Sequence, residues 1–269
     1  MSDVPSLRHL IVEEDLNKEL FGIRAFPMRE QYRNPTDNWG MDFGMDMPLP
    51  WLKQVHNAYA GKRCFMLGTG PSLKAQLDLL PKLAGEFTFT CNRMKLWGEL
   101  PFKPFVHCIT EPNPVIDFGQ RIKSLYDFPG AMNKVACIWW PVVAKGWLWM
   151  PKASDDIQVR WNGTWGLGEH LPPVPTAWAS PLTITQLALW MGFSEVYMLG
   201  VDTTQQGQAW DVDQGRTAKP RSIRSILECA ERMNRDIKRS GRQFWDCTPG
   251  GRLNTEGAIA YKSLGEVLL

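Results

Sequence analysis

The chain alternates between short apolar runs and segments whose apolar residues recur at helical spacing. Runs with the length of buried strands lie at 64–67, 87–91, 104–110, 134–140, 195–199 and 242–247. Helical spacing is found at 73–83, 116–126, 182–191 and 221–240. Strands that alternate with helices in this way are typical of a parallel sheet with helices on its faces. The pattern therefore predicts an α/β fold with a doubly wound, mostly parallel sheet.

Two stretches depart from this alternation. Residues 1–57 are polar, and Gly40, Gly44 and the prolines at 48–50 argue against one long helix there, although 51–59 fits a short one. Residues 141–178 contain many Gly, Pro and Trp and show little periodicity. We therefore predict an irregular N-terminal extension at 1–57 and a single sheet domain at 58–269, with an insertion at about 141–178.

Tryptophan is unusually frequent. The chain has 13 tryptophans, and seven of them fall between Trp139 and Trp178. An indole offers a flat apolar face and one N–H donor, so it suits sugar rings and nucleic-acid bases. The same residues also suit a core or the interface of a homo-oligomer. The sequence leaves these uses of the Trp-rich insertion open.

Charge gives little indication of a macromolecular partner. The formal net charge is +2, so no global field attracts nucleic acid or membranes. The distribution is uneven, because residues 216–252 carry 10 basic and 4 acidic side chains. A local phosphate-binding surface is compatible with this segment, as is an ordinary solvated helix face.

The sequence predicts a cytoplasmic protein. Its first residues are too acidic for a signal peptide, and no apolar run approaches the roughly 18 residues of a membrane span. None of the six cysteines forms a C-x-x-C pair. Most cysteines lie in apolar runs, so we expect buried free thiols in a reducing compartment and no zinc site.

The first predicted strand leads directly into a glycine-rich turn. The turn is Gly68-Thr69-Gly70-Pro71-Ser72, with Ser72 as the expected N-cap of the helix that follows. A second strand then ends at Asn92-Arg93. Strand, glycine turn, helix and strand form the opening unit of a Rossmann-like nucleotide-binding domain. Glycine there would allow a phosphate to approach backbone N–H groups, although the turn lacks the Walker lysine and the third glycine of the dinucleotide fingerprint.

Further candidates lie where other predicted strands end. Glu111 and Asp202 each follow a strand, and ligands of open α/β sheets bind outside those ends. Asp211 and Asp213 lie in the polar loop after Asp202, where carboxylates could act as a general base or bind a divalent cation. Arg216 begins a basic run that includes Lys219, Arg221 and Arg224 and is suited to phosphates. We expect His107, which lies inside an apolar run, to be a hydrogen-bonded core residue.

Four segments carry a family resemblance. Residues 61–73, 90–93, 191–202 and 247–253 read GKRCFMLGTGPSL, TCNR, MGFSEVYMLGVD and CTPGGRL. In this order they resemble the superfamily that contains the 6-hydroxymethylpterin diphosphokinase-like (MptE-like) proteins. They are also similar to the bacterial sialyltransferases that modify lipooligosaccharide. The resemblance covers about residues 58–268, except for the Trp-rich insertion, and does not separate the members of the superfamily.

The sialyltransferase-like branch implies a glycosyltransferase that uses a nucleotide sugar as co-substrate. Residues 68–72, Asn92 and Arg93 would then hold the nucleotide, and Thr248-Pro249-Gly250 would close the same pocket. Those enzymes use a histidine base in the loop before the late helix. The corresponding loop here, 203–220, contains no histidine. The resemblance therefore implies that Asp211, or else Asp213, would deprotonate the acceptor.

The diphosphokinase branch implies ATP, Mg²⁺ and a pterin acceptor. Asp202 with Asp211 or Asp213 would hold the metal, and Arg216 or Lys219 would hold the phosphates. A third possibility is a nucleotide- or nucleic-acid-binding module that has lost its catalytic base. Our leading prediction is sugar transfer to an acceptor hydroxyl, either of a glycan or of a hydroxymethylated base in DNA. Diphosphate transfer and the binding module are the alternatives.

Overall fold

The computed structural model describes residues 50–92, 94, 100–110, 130–138, 147–151, 179–203 and 220–269. These residues form a seven-stranded sheet in which every neighbouring pair of strands is parallel. In chain order the strands are β1 (Arg63–Leu67), β2 (Phe87–Cys91), β3 (Val106–Ile109), β4 (Asn133–Ile138), β5 (Trp147–Pro151), β6 (Glu195–Leu199) and β7 (Gln243–Asp246). The predicted α/β, Rossmann-like class is confirmed.

The order of the strands determines where a ligand crevice can form. Across the sheet the order is β5-β4-β3-β2-β1-β6-β7. The chain therefore builds outward from β1 to β5 and then returns to add β6 on the other side of β1. The register pairs Leu67 with Thr90 of β2 and with Leu199 of β6. The topological switch point lies between the carboxyl ends of β1 and β6, where open α/β sheets bind ligands.

Helices flank this sheet. In chain order they are α1 (Pro50–Val55), α2 (Ser180–Trp190), α3 (Pro220–Arg239), α4 (Arg252–Thr255) and α5 (Leu264–Val267). The apolar spacing predicts one face of α3 that consists of Ile223, Ile226, Leu227, Ala230, Met233 and Ile237. All of these residues are buried except Leu227, which is half-buried. By contrast, every residue of α2 from Pro181 to Trp190 is buried. A helix that is covered on all sides is part of the core, so α2 needs no polar face.

The prediction of a helix at 73–83 is wrong in its type. The chain instead forms two short 3-10 turns, Pro71–Gln76 and Leu80–Leu83. Their backbone bonds span three residues, as in Leu73 N–H to Gly70 O and Lys82 N–H to Leu79 O. Pro81 supplies no N–H and its ring excludes the carbonyl one helical turn earlier, so a continuous α-helix cannot pass through this segment.

The Trp-rich insertion contains a strand that the sequence pattern did not indicate. β5 pairs with β4, and the register joins Val135 to Leu148 and Cys137 to Met150. Met150 is fully buried. A short apolar run between Gly- and Pro-rich stretches has no periodicity that separates a strand from a loop, which is why it was missed. The rest of 141–178 and the helix predicted at 116–126 lie outside the described residues.

Aromatic side chains form the core where the amino ends of β1 and β2 meet α2. Tyr59 stacks on Phe193, and its ring meets Phe87 and Phe105 edge to face. Phe89 also packs edge to face against Phe105 and Phe193. The amino ends of these strands are therefore packed with large rings, and the carboxyl ends carry the polar residues described below.

Helix α1 is part of this core. Trp51, Leu52 and Val55 are buried, and Leu52 O accepts a hydrogen bond from the Trp190 indole at 2.6 Å. The segment after α1 is tied to α2 as well, because Asn57 N–H donates to Trp190 O. Residues 50–57 of the predicted extension thus pack with the sheet domain. Residues 1–49 lie outside the described part of the chain.

All six cysteines are free thiols, as the sequence predicts, and all except the half-buried Cys229 are buried. Burial raises the pKa of the Cys247 thiol to about 12, which keeps it protonated and unreactive at neutral pH. No helix within the described ranges is both long and apolar enough to cross a membrane.

Replacing Phe105 by alanine should destabilise the fold strongly. Phe105 is fully buried and contacts three other rings, so its loss should lower the free energy of unfolding by about 3–5 kcal/mol. Leu77→Ala, at a side chain that is 50% exposed, is the control and should change it by about 0.5 kcal/mol or less. Urea denaturation measures both, and equal midpoints would contradict this account of the core.

Candidate functional site

The turn after β1 packs directly against the turn after β6. Gly68 N–H donates to Leu199 O and Gly70 N–H to Gly200 O, each at 2.7 Å. These bonds extend the parallel pairing of β1 and β6 beyond the ends of the strands. The predicted glycine turn is therefore located at the switch point of the sheet.

The glycines are required by this packing. A Cβ on Gly70 would overlap the Asp202 carboxylate and lie 2.7 Å from Gly200 O. A Cβ on Gly68 would overlap Gly200 O and lie 2.9 Å from the Val201 side chain. The sequence predicts that these glycines allow a ligand phosphate to approach. In the structure the space that their side chains would occupy is filled by the chain itself.

Asp202 is held by the turn after β1. Its Oδ2 accepts a hydrogen bond from the Ser72 hydroxyl at 2.8 Å, and its Oδ1 accepts one from the Ser72 backbone N–H at 3.2 Å. Burial raises the pKa of the Asp202 carboxyl, and the Ser72 donors oppose that rise. Ser72 is not the N-cap that the sequence predicted, because Gly70 precedes the 3-10 turn and Ser72 lies inside it.

The loop after β7 lies at the same edge of the sheet as the turns after β1 and β6. Thr248 is fully buried, and its hydroxyl oxygen accepts a hydrogen bond from Val201 N–H at 3.1 Å. Further along, Arg252 N–H donates to Asp202 O at 3.1 Å. Pro249 and Gly250 are exposed. Hydrogen bonds thus connect the loops after β1, β6 and β7 at one edge of the sheet, and the role of these loops in binding a nucleotide stays a prediction.

Asp246, which sequence reasoning missed, organises the loop after β7. Its carboxylate is fully buried at the end of the strand. Oδ1 accepts a hydrogen bond from Thr248 N–H at 2.9 Å, and Oδ2 accepts one from the Asn254 amide at 2.7 Å. Burial raises the pKa of Asp246, and the nearby charge of Asp202 adds to that effect. The available signal was an aspartate ending an apolar strand, the same signal that singled out Asp202.

Asn92 ends β2 at the same edge of the sheet. Its φ of 45° places it in the left-handed region, which asparagine tolerates better than most residues. The amide nitrogen donates to the hydroxyls of Ser180 at 2.8 Å and Thr110 at 3.2 Å, and Oδ1 accepts from Thr110 N–H at 2.9 Å. Asn92 therefore joins the ends of β2 and β3 to the start of α2, and both of its amide hydrogens are used within the protein.

The remaining predicted site residues lie outside the described residues: Arg93, Glu111, Asp211, Asp213 and Arg216. Their roles stay predictions. The interpretation of His107 as a core residue agrees with its position, because it is fully buried and its Nδ1 lies 2.9 Å from the Thr90 hydroxyl. In the part of the chain that the structure describes, no group of three or more His, Cys, Asp or Glu side chains is arranged to hold a metal ion.

No protein-family model matches the chain, and no curated protein matches its sequence. The fold is similar to that of the MAf glycosyltransferase from Magnetospirillum magneticum AMB-1, with 15% identity and a TM-score of 0.42 over 71% of this chain and 32% of that one. It is also similar to the sialyltransferase CST-II in complex with a trisaccharide acceptor and CMP. The identity is 13% and the TM-score is 0.43, and the match covers 74% of this chain and 86% of that one.

A third similar structure is the sialyltransferase CstII from Campylobacter jejuni in complex with the substrate analogue CMP-3FNeuAc. The identity is 13% and the TM-score is 0.40, and the match covers 74% of this chain and 85% of that one. The chain thus spans about a third of the MAf glycosyltransferase and most of the sialyltransferase chains. Likenesses of this extent do not assign a reaction, a substrate or a site to this chain. The MptE-like resemblance rests on the sequence motifs.

Gly70→Ala should separate the two turns of the site. The new Cβ would overlap Asp202 and force its carboxylate away from Ser72, at a cost of about 1–3 kcal/mol in the free energy of unfolding. Adding Asp202→Ala removes one of the two clashes, so the double variant should lose less than the sum of the single variants.

Gly265→Ala is the matched control. A Cβ there meets only the Ser263 hydroxyl at an ordinary 3.5 Å, so this variant should be neutral or slightly stabilising. Chemical denaturation measures the free energy of unfolding of the wild type, Gly70→Ala, Asp202→Ala, the double variant and Gly265→Ala. If Gly70→Ala were as stable as Gly265→Ala, close packing between the two turns would not be what requires glycine.

Proposed function

We propose that the chain is a glycosyltransferase that moves a sugar from a nucleotide-sugar donor to an acceptor hydroxyl. The nucleotide would bind at the carboxyl ends of β1, β6 and β7. The observation that carries this proposal is the convergence of residues 68–72, Asp202 and Thr248–Gly250 at the switch point of the sheet. Open α/β sheets bind nucleotides at such points. The ordered motifs that resemble the sialyltransferases support the same conclusion.

The Asp202 carboxylate favours a neutral part of the ligand at the glycine turn. It already accepts hydrogen bonds from the backbone N–H and the hydroxyl of Ser72. A phosphate at the same donors would face a carboxylate, and two like charges about 4 Å apart repel by roughly 4 kcal/mol at an effective dielectric constant of about 20. Ribose hydroxyls, by contrast, can donate to a carboxylate. We therefore assign the ribose to this turn and the phosphate to a position farther from it.

This assignment separates the proposed site from a phosphate-binding loop. A phosphoryl-transfer site directs several backbone N–H groups at the phosphates of ATP. Here one such N–H is already bonded to a carboxylate, and ATP would bring more negative charge to the turn than a nucleoside monophosphate sugar. Sugar transfer is therefore our first proposal, with Mg²⁺-dependent diphosphate transfer as an outcome of the experiment below.

The proposed reaction forms one bond and breaks another at the anomeric carbon of the donor. The acceptor hydroxyl oxygen attacks that carbon as its proton passes to the Asp211 carboxylate. The bond from the anomeric carbon to the phosphate oxygen breaks, and the nucleotide leaves with its electron pair. Arg216 would stabilise the leaving phosphate. Asp213 is the alternative base, and these roles rest on the sequence.

The proposals about the acceptor and about assembly of several copies also rest on the sequence. A glycan hydroxyl and the hydroxyl of a hydroxymethylated base in DNA are both compatible with this chemistry. The Trp-rich insertion offers flat faces for either acceptor, and an assembly of several copies is equally compatible with it. The donor sugar and nucleotide are the first properties to determine, because they restrict the acceptor.

A thermal-shift screen against CMP, UDP, GDP, ADP and ATP, and against the corresponding nucleotide sugars, tests the proposal. Each ligand is added with Mg²⁺ and with EDTA. A ligand that binds only the folded state stabilises it by about 2.7 kcal/mol at a hundredfold excess over its dissociation constant. We expect a shift with one nucleotide-sugar class and its nucleotide, independent of Mg²⁺.

Other outcomes would replace the proposal. A shift only with ATP and Mg²⁺ would favour the diphosphokinase. A nucleotide shift without turnover of any donor would favour the binding module. No shift with any of these ligands would contradict nucleotide binding at this edge.

Asp211→Asn should lower turnover by about a hundredfold or more while leaving donor affinity nearly unchanged, because the amide cannot accept the acceptor proton. Asp213→Asn is the matched control in the same loop and should keep most of the activity. Steady-state kinetics with the donor found in the screen gives kcat and KM for both. Full activity in Asp211→Asn would eliminate Asp211 as the base, and loss only in Asp213→Asn would transfer the role to Asp213.

A further inference from the structure

We infer that Asp246 is a positioning residue for the proposed nucleotide site, holding the loops after β7, β6 and β1 in one arrangement. The inference rests on the proposed function, since the site it positions is the nucleotide edge described above. Asp246 is fully buried, so its carboxylate cannot touch a bound ligand from solvent. Any effect on binding must therefore act through the residues that it contacts.

The first step in this coupling is the shape of the loop after β7. The Asp246 carboxylate accepts hydrogen bonds from Thr248 N–H and from the Asn254 side chain. The same Asn254 amide donates to Thr248 O at 2.8 Å. The chain from 246 to 254 is thus closed into a loop around one carboxylate, with Pro249 and Gly250 exposed at its surface.

The second step connects this loop to the loop after β6. Thr248 accepts a hydrogen bond from Val201 N–H through its hydroxyl, and Arg252 N–H donates to Asp202 O. The two bonds hold the backbone on both sides of the Val201–Asp202 peptide. They fix the point from which the Asp202 side chain extends.

The third step reaches the glycine turn. The Asp202 carboxylate holds Ser72 through its N–H and its hydroxyl, and Gly70 N–H donates to Gly200 O. A path therefore runs by hydrogen bonds from Asp246 to Thr248 and from Thr248 to Val201, by the peptide bond from Val201 to Asp202, and by hydrogen bonds from Asp202 to Ser72. Every bond on this path joins two of the three loops or shapes one of them.

A carboxylate is suited to the position of Asp246 because all of its partners are donors. An ionised carboxylate is an acceptor at both oxygens. An asparagine in its place would retain one acceptor and direct an NH₂ group at either Thr248 N–H or the Asn254 amide. If the NH₂ group faces Thr248, the buried Thr248 N–H is left without an acceptor, which costs more than the loss of an ordinary hydrogen bond. If it faces Asn254, the half-buried amide loses one of its two acceptors and keeps Thr248 O.

The test compares Asp246→Asn with Asn133→Ala in the full-length protein. Asn133 is also a buried polar residue, 4% exposed, and it donates to Phe105 O at 2.8 Å at the start of β4, far along the sheet from the site. Hydrogen exchange by mass spectrometry is followed in peptides that cover 66–76 and 196–203. Affinities for CMP, UDP, GDP and ADP are measured by calorimetry on the same proteins.

We expect Asp246→Asn to accelerate exchange about tenfold or more in both peptides and to weaken binding of the nucleotide that the wild type binds by a similar factor. Asn133→Ala should leave exchange in both peptides and nucleotide affinity unchanged. A general loss of stability in Asp246→Asn would accelerate exchange across the whole sheet, including a peptide that covers 133–138, and not only at 66–76 and 196–203. Unchanged exchange at 66–76 and 196–203 in Asp246→Asn would overturn the inference.

A second pair of variants keeps the test open if Asp246→Asn does not fold. Thr248→Ser retains the hydroxyl that accepts from Val201 N–H, and Thr248→Val removes it at nearly constant volume. Thr248→Val should accelerate exchange at 66–76 and 196–203, and Thr248→Ser should restore the wild-type rate. Equal rates in the two variants would overturn the coupling.

The exchange measurement separates this inference from the proposed function. If the wild type binds none of the four nucleotides, the proposed function fails, and the exchange rates still decide whether Asp246 couples the loops. If a nucleotide binds and Asp246→Asn alters neither exchange nor affinity, the site is supported and the role of Asp246 is not.

Discussion

The close packing of the turn after β1 on the turn after β6 is the constraint on which this edge of the molecule depends. Gly68 and Gly70 approach Gly200 so closely that no side chain fits between them. Only this approach lets the backbone bonds from Gly68 to Leu199 and from Gly70 to Gly200 form beyond the ends of the strands. The switch point is consequently a continuation of the backbone pairing between β1 and β6.

Two buried or half-buried carboxylates, Asp202 and Asp246, also hold the loops at this edge of the sheet. Asp202 accepts hydrogen bonds from the turn after β1, and Asp246 accepts them from the loop after β7. Burying a carboxylate is unfavourable unless donors surround it, and here backbone N–H groups, hydroxyls and one side-chain amide do so. These hydrogen bonds form without a ligand, and such preorganisation would reduce the ordering cost of binding at the proposed site.

The two ends of the strands differ in character. Near the amino ends of β1 and β2, tightly packed aromatic rings join the sheet to α2 and α1. At the carboxyl ends, short polar contacts link loops that are partly exposed. A rigid apolar base with a polar edge is the usual arrangement for sites on α/β sheets, because the base fixes the strand ends and loop side chains supply the chemistry. We assign the ribose to the glycine turn because the Asp202 carboxylate at that edge would repel a phosphate.

Much of this could be predicted from the sequence, because the information was local. Apolar runs of strand length placed six of the seven described strands, the spacing of Ile223, Ile226, Ala230, Met233 and Ile237 indicated α3, and the positions of the strand ends singled out Asp202 and residues 68–72. Local patterns were insufficient at 73–83, where Pro81 interrupts a continuous α-helix and the chain forms two short 3-10 turns. They were also insufficient at β5, where a short apolar run acquires its strand character only by pairing with β4.

The roles of the individual polar residues were decided by tertiary structure. Whether a strand-end aspartate faces a ligand or a neighbouring loop depends on hydrogen bonds between residues more than a hundred positions apart, such as Asp202 and Ser72. Asn92 also depends on a distant partner, because its amide is bonded to Ser180, 88 positions along the chain. The sequence by itself determined the fold class and the edge of the sheet that carries the candidate site. Only the folded chain decided which donors at that edge are already occupied, because that depends on distances between loops that local patterns do not encode.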